Sequence, residues 1–369
     1  MDSAKRMRHL IVPSVDTQHW LEVLKTNNWL VSGLGVITVE GGEKGLPLAE
    51  HAPQEDNLIW SGFAHQTISR EVNKIKHWSD LLDRDLYQEF DQYWPRSYEM
   101  IGDVLIVRLE DEVKQYQNEI ARAMLDRISS ARIICADNGV TGEFRVRDIS
   151  PILARDGNFS TLTTIRENGH NIIIDPAKAY FSSRLSTERE GNVIAAKELA
   201  NLLNRPITIS DPYAGVGPAL PSLIAAEGLV EAIFAGDLNP DAVKLLTDNI
   251  ASSINKSNYA FDNQVMCMDA REWRRDKKFT ESTDLLLVNL PHDTIEHLED
   301  LFPLMRKETK SLIRGWAIVE RQNLARVRES IEKQLIQHGA RAISLTCKEI
   351  KGFSASKIFI RIESWQIFS

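Results

Sequence analysis

The second half of the chain carries acids and amides at the ends of successive apolar runs, where a bound ligand could use them. The run at 207–209 ends in DPYAGVGP (residues 211–218): Asp211 leaves a strand, and Gly215 and Gly217 turn the chain toward a helical segment at 219–226. Glycines in such a turn let backbone N–H groups approach a ligand with no Cβ between them. Tyr213 sits inside the turn. The next run ends in GDLNP, which places Asp237, followed by Leu238 and Asn239, where a carboxylate can accept the hydrogen bonds of a ribose diol. A third ends in MDARE, so Asp269, beside Ala270, can accept from an adenine amino group. The fourth ends in NLPH and aims Asn289 and Pro291 at the reacting end of the ligand. Singly, each acid reads as a cap or a solvated carboxylate. In strand order, they read as one site.

A dinucleotide fingerprint would need a third glycine, and Leu220 stands at that position. Several acids around one pocket suit a cationic sulfonium better than a pyrophosphate. The expected cofactor is therefore S-adenosylmethionine.

The elements that must position these residues alternate regularly. Strands are expected at 207–210, 232–235, 264–268, 284–288 and 317–320, separated by helical segments, with a closing pair at 342–347 and 357–362. That pattern predicts an α/β fold: a doubly wound parallel sheet with helices on both faces and an antiparallel terminal hairpin. Thr187 and Glu190 have the spacing of a capping box for a helix running to Leu203. This domain is assigned to residues 178–369.

A mixed α+β domain is assigned to 91–177. Its expected strands are 100–109 as one long run, 132–135, 143–148 and 171–175, with a short one at 179–181. Between the first two, Val113, Tyr116, Ile120, Met124 and Ile128 form a helical stripe. Residues 1–90 read as a separate small α+β domain with a helix at 17–27 and a hydrophilic helical connector at 77–93. The Gly- and Pro-bearing stretch 41–56 is expected to be a mobile loop.

At 369 residues, 43% hydrophobic and 26% charged, the composition is that of a soluble globular protein, and no apolar run is long enough to cross a membrane. The first residues have no signal-peptide core, and Cys135, Cys267 and Cys347 form no CxxC pair. A zinc site is therefore not expected, and a reducing cytoplasm is. The net charge of −8 argues against indiscriminate nucleic-acid binding and requires any nucleic-acid substrate to meet a local basic face.

Across residues 94–369 the chain resembles the tRNA (guanine-37-N1)-methyltransferases of archaea and eukaryotes. The resemblance lies in YFSSRLSTERE (180–190), DPYAGVGP, DLNPDAV (237–243) and VNLPH (288–292), with weaker matches at GDVLIVRL, GEFRVRD and RENG. It implies a class I methyltransferase (Rossmann-like) fold behind an RNA-facing domain, and a monomeric enzyme acting on tRNA, with the glutamate of the STER segment, Glu188, as general base. Guanine N1 holds its proton at neutral pH, so a carboxylate in reach must take it as the nitrogen attacks the methyl group. By the same match Arg145 would stabilise charge at O6, with Arg147 an alternative on the same strand face.

From spacing alone, Glu188 reads rather as a first-turn acid favoured by the helix dipole, and it is the STER match that turns the reading to catalysis. Arg184 and Arg189 read as phosphate contacts or as partners for nearby acids, and Tyr180 as a core aromatic or a wall for the ligand. Ala219 and Arg166 depart from the Phe and His usual in the family, and Tyr213 replaces a Phe. Two other activities stay open: transfer of an aminocarboxypropyl group from the same cofactor in the wyosine pathway, and RNA binding without catalysis.

Overall fold

The computed structural model describes residues 4–31, 34–71 and 77–369. The chain forms two contact units, residues 1–89 with 126–128, and 90–125 with 129–369. In the first, β1 (Ala4–Val12), α1 (Thr17–Thr26), β2 (Ile37–Thr38), β3 (Lys44–Pro47) and β4 (His65–Glu71) make a sheet of order β2-β3-β1-β4. The stretch expected to be a mobile loop thus contributes β3, because Leu46 and Leu48 are apolar enough to bury beside Leu10, Trp20 and Trp60. Of the expected connector, only α2 (Arg84–Glu89) and a 3-10 turn at Trp78–Leu81 are helical.

The second unit begins with β5 (Tyr98–Ile101) and β6 (Val104–Val107), an antiparallel pair rather than one strand. Gly102 makes the break: its φ is +59°, and a Cβ there would collide with Thr163. After α3 (Gln117–Arg127) come β7 (Ile133–Thr141) and β8 (Val146–Ala154), giving the order β5-β6-β7-β8. A hairpin of β9 (Thr163–Glu167) and β10 (His170–Ile174) follows. Residues 179–181 are not a strand. The packing shows no seam at residue 177: Val104, Ile133, Ile172, Phe181, Val216 and Leu245 share one apolar cluster.

The rest is α4 (Ser186–Leu203), β11 (Ile207–Asp211), α5 (Leu220–Ile224), β12 (Val230–Asp237), α6 (Pro240–Ile254), β13 (Asp262–Cys267), β14 (Leu285–Val288), α7 (Thr294–Leu301), β15 (Lys310–Glu320), α8 (Leu324–Gln337), β16 (Ala340–Gly352) and β17 (Lys357–Phe368). Their sheet has the order β13-β12-β11-β14-β15-β17-β16, parallel through β15 and antiparallel at β17 and β16. The LLLV of β14 is buried throughout because the sheet is covered on both faces. Leu285 and Leu287 pack with α4, α5 and α6, whereas Leu286 and Val288 pack with α7 and α8. The chain order reverses between β11 and β14, so the crevice beyond those two strands is where this topology binds a ligand. Among the described residues no helix is long and apolar enough to cross a membrane.

Candidate active site

A pocket opens at that crevice, lined by Leu185, Glu188, Arg189, Asn192, Asp211, Tyr213, Ala214, Pro218, Ala219, Leu287, Asn289 and Trp316. Three buried polar atoms on its lining lack a partner: Asp211 Oδ1, Asn289 Oδ1 and Asn192 Nδ2. Buried acceptors and donors are normally satisfied, so this cluster is what a polar ligand would complete. Burial, and then the neighbouring Asp237, push the Asp211 carboxyl up to about 7. A cationic group in the pocket would reverse that pressure.

The glycine turn is held by side chains from two elements, β12 and α6. Asp237 Oδ2 accepts from the Gly215 N–H at 2.9 Å, and its Oδ1 accepts from the Asn239 N–H at 2.9 Å. Burial raises the Asp237 pKa although these bonds oppose it. Asn249 on α6 donates to the carbonyls of Val216 and Ile173, both at 2.9 Å, which ties the turn to β10. At Gly217 φ is +77°, and a Cβ would lie 2.5 Å from Leu246 Cδ1. Gly217→Ala is therefore expected to cost about 1–3 kcal/mol in urea unfolding. An unchanged midpoint would mean that the turn is not constrained as described.

Glu188 lies in the first turn of α4, but the helix start differs from the expected capping box. The N-cap is Leu185, which makes no side-chain cap bond, and a 3-10 turn at Ser183–Leu185 leads straight into the helix, so Thr187 is inside it. Glu188 is 8% exposed. Its carboxylate accepts from Trp316 Nε1 at 3.0 Å and lies 3.3 Å from Arg361 Nη1. Neither partner is legible as a site residue in the sequence, because Trp316 on β15 and Arg361 on β17 lie far along the chain from α4 and outside any strand-end motif.

The remaining sequence candidates divide. Asn289 reaches the pocket, and the chain after it is anchored where Pro291 O accepts from Ile318 N at 2.7 Å. Tyr213 OH pairs with His297 Nδ1 at 2.7 Å, and burial raises its pKa. Tyr180 is 57% exposed, with its carbonyl near Gly215. Leu238 is exposed, whereas Ala270 is buried in the core beside Trp273. Asn239 caps α6 and donates to Lys178 O at 2.7 Å, which gives it a framework role. Asp269 caps a 3-10 turn and is gripped by Arg271, whose hydrogen bonds lower its pKa, so its oxygens already have a partner.

Two arginines expected at the substrate are committed to acids. Arg189 forms a buried two-pronged pair with Glu167 (2.5 and 2.6 Å) and also donates to Ser182 O, so it is a strut between β9 and α4 and is not placed to hold a phosphate. Arg147 pairs with Glu99 at 2.5 Å. Arg145 does not share a strand face with it. It sits in the β7–β8 turn with φ +51°, exposed, and within electrostatic reach of His292 beside the NLP segment. Arg184 is exposed as well.

A doubly wound sheet with glycines and acids beyond its central strands defines a class I methyltransferase domain. Residues 163–341 match the TRM5/TYW2 methyltransferase domain, and residues 78–157 match the TYW2 N-terminal domain. The methyltransferase-domain match covers just under half of the chain. It is 33% identical over 215 residues to the tRNA (guanine(37)-N(1))-methyltransferase Trm5b of Pyrococcus abyssi, a stretch that is 57% of this chain and 58% of that protein. The alignment thus spans less than two thirds of that relative. Its crystal structure superposes with a TM-score of 0.65 at 24% identity, covering 98% of this chain and 100% of that one. The Pyrococcus horikoshii TYW2 structure in complex with MeSAdo gives 0.61 at 20% identity over 79% and 98%. Both share the fold.

Proposed function

We propose that the protein transfers the methyl group of S-adenosylmethionine to N1 of guanine 37 in tRNA, acting as a cytoplasmic monomer. One observation carries the reading: the Glu188 carboxylate and the unpartnered acceptors of Asp211 and Asn289 line the same pocket. The name of the Pyrococcus abyssi relative agrees with it.

The pocket's donor and acceptor set fits S-adenosylmethionine. Asp237 would accept from the ribose diol, the Gly215–Gly217 turn would lie against the nucleoside, and Asp211 and Asn289 would accept from the cationic amino-acid end. When bound, the cofactor supplies a methyl group made electrophilic by a positively charged sulfur. The chain's own part is to orient and to move one proton. Glu188 takes the N1 proton as the guanine nitrogen attacks, and Arg145 offsets the negative charge that develops toward O6. Pro291 and Asn289 hold the base in line, which matters because displacement rewards alignment. For a chain of net charge −8, the RNA must meet a local basic face. Arg145, Arg166, Lys178 and Arg184 are all exposed and supply candidates for it.

The match of residues 78–157 to the TYW2 N-terminal domain favours a second reading, transfer of the aminocarboxypropyl group of the same cofactor. One assay separates the readings. Purified protein is given tRNA transcripts with G or A at position 37, and the product nucleosides are weighed. A gain of one methyl on G37 alone is expected. A larger added group supports the second reading, and cofactor binding without transfer to any tRNA supports a non-catalytic protein.

A further inference from the structure

A carboxylate that is 8% exposed must be held by donors, and the identity of those donors decides what each oxygen can still do. Strands β15 and β17 are antiparallel, and their register sets Trp316 opposite Arg361. Cross-strand partners share one face of a sheet, so both side chains reach the start of α4 together. Trp316 Nε1 donates to Glu188 Oε2 at 3.0 Å. Arg361 Nη1 spans the carboxylate, 3.3 Å from Oε2 and 3.4 Å from Oε1.

Neither donor is loosely placed. The indole is 4% exposed and packed between Leu185 and Phe359, which fixes the direction of its N–H. The guanidinium of Arg361 has its Nε 3.6 Å from Glu363 Oε2. Glu363 is in turn paired with Arg314 at 2.5 Å, and Arg314 Nε donates to Asn192 Oδ1 at 2.9 Å. Charges alternate from Glu188 through Arg361 and Glu363 to Arg314, so each group is oriented by the next.

We infer that Trp316 and Arg361 are positioning residues for the proposed base: Trp316 anchors Glu188 Oε2, Arg361 spans both oxygens, and Oε1, the oxygen without the indole donor, receives the guanine N1 proton. The inference rests on the methyl-transfer reading of Glu188. An indole N–H only donates, so the oxygen it occupies stays an acceptor, and an arriving proton goes to the other one. The step balances. The N1–H bond breaks with its proton passing to Oε1, the N1 electron pair bonds to the methyl carbon, and the methyl–sulfur bond breaks with its electrons left on sulfur. Arg361 orients the resting carboxylate, and Glu363 lies on the other side of its guanidinium.

The test is single-turnover methyl transfer with Trp316→Phe, Arg361→Met and Arg361→Lys, read beside KM for tRNA, cofactor Kd and melting temperature. Trp316→Phe keeps an aromatic ring in the packed site but removes the N–H together with the five-membered ring, so its melting temperature reports the packing loss separately from the rate. We expect the chemical rate to fall ~10- to 100-fold while KM and Kd stay within about twofold. Arg361→Met is expected to fall similarly, and Arg361→Lys to recover most of the rate because the charge returns. A wild-type rate in Trp316→Phe overturns the inference. So does a loss of cofactor affinity as large as the loss of rate, and so does Arg361→Lys behaving no better than Arg361→Met. A parallel Glu188→Gln variant separates the two levels. If it too retains the wild-type rate, the base assignment itself has failed; if it alone is slow, only the positioning has.

Discussion

Glu188→Gln is expected to slow methyl transfer by ~100-fold or more while cofactor binding stays close to wild type. The amide keeps the shape and can still accept from Trp316 Nε1 through its oxygen, but it cannot take a proton at neutral pH. Its NH2 group would face the Arg361 guanidinium, donor against donor, so the variant loses the ion pair at 3.3 Å as well as the base. A lowered melting temperature is therefore part of the expected outcome, and single-turnover rates should be taken well below it. Binding is the control, because Asp211, Asn289 and Asp237 are untouched. A rate within a few-fold of wild type on a G37 transcript would remove Glu188 from the mechanism. A joint collapse of binding and rate would make it a structural residue.

What the sequence revealed depended on how local each signal was. Strand–helix alternation is written in short periodic runs, so β11 to β17 and their acid-bearing ends are legible without coordinates. The two breaks it concealed each hinge on a contact from elsewhere in the chain. Gly102 splits one long apolar run because Thr163, some sixty residues on, occupies the space beside it. Strand β3 lies in a glycine-rich stretch because its Leu46 is buried against the core formed with β1 and α1. The site divides on the same principle. Asp211, Asn289 and Glu188 follow from motif and strand order, and they do line one pocket. The fate of Arg189 could not be read, since its partner Glu167 lies on another hairpin. Trp316 and Arg361 were silent for the same reason: only the register of two remote strands makes them neighbours of α4.

Asp211→Asn should stabilise the ligand-free protein at pH 8 and weaken its hold on the cofactor. The two effects have one cause. Burial and the adjacent Asp237 carry the folded-state carboxyl from 3.8 up to about 7. Folded protein therefore holds this proton more tightly than the unfolded chain does. The stability that this confers is complete below about pH 4 and is lost as pH rises toward 7; above that, the apoprotein bears an ionised, buried carboxylate. A displacement of that size corresponds to roughly 4 kcal/mol, which the neutral amide avoids. Melting curves should show Asp211→Asn several degrees above wild type at pH 8, with the gap closing as pH falls. The cofactor's cationic end inverts the preference, because it rewards the ionised form that the empty pocket penalises. Calorimetric titration of wild type should then show Kd rising as pH drops below about 7, whereas the asparagine variant binds ~10- to 100-fold more weakly at pH 8 with a flatter pH dependence. Some slope should survive in the variant, since Asp237 is raised by burial too, although its two backbone N–H bonds hold it back. A variant that melts below wild type at pH 8, or a wild-type Kd indifferent to pH between 6 and 8, would show that Asp211 does not face the cationic group.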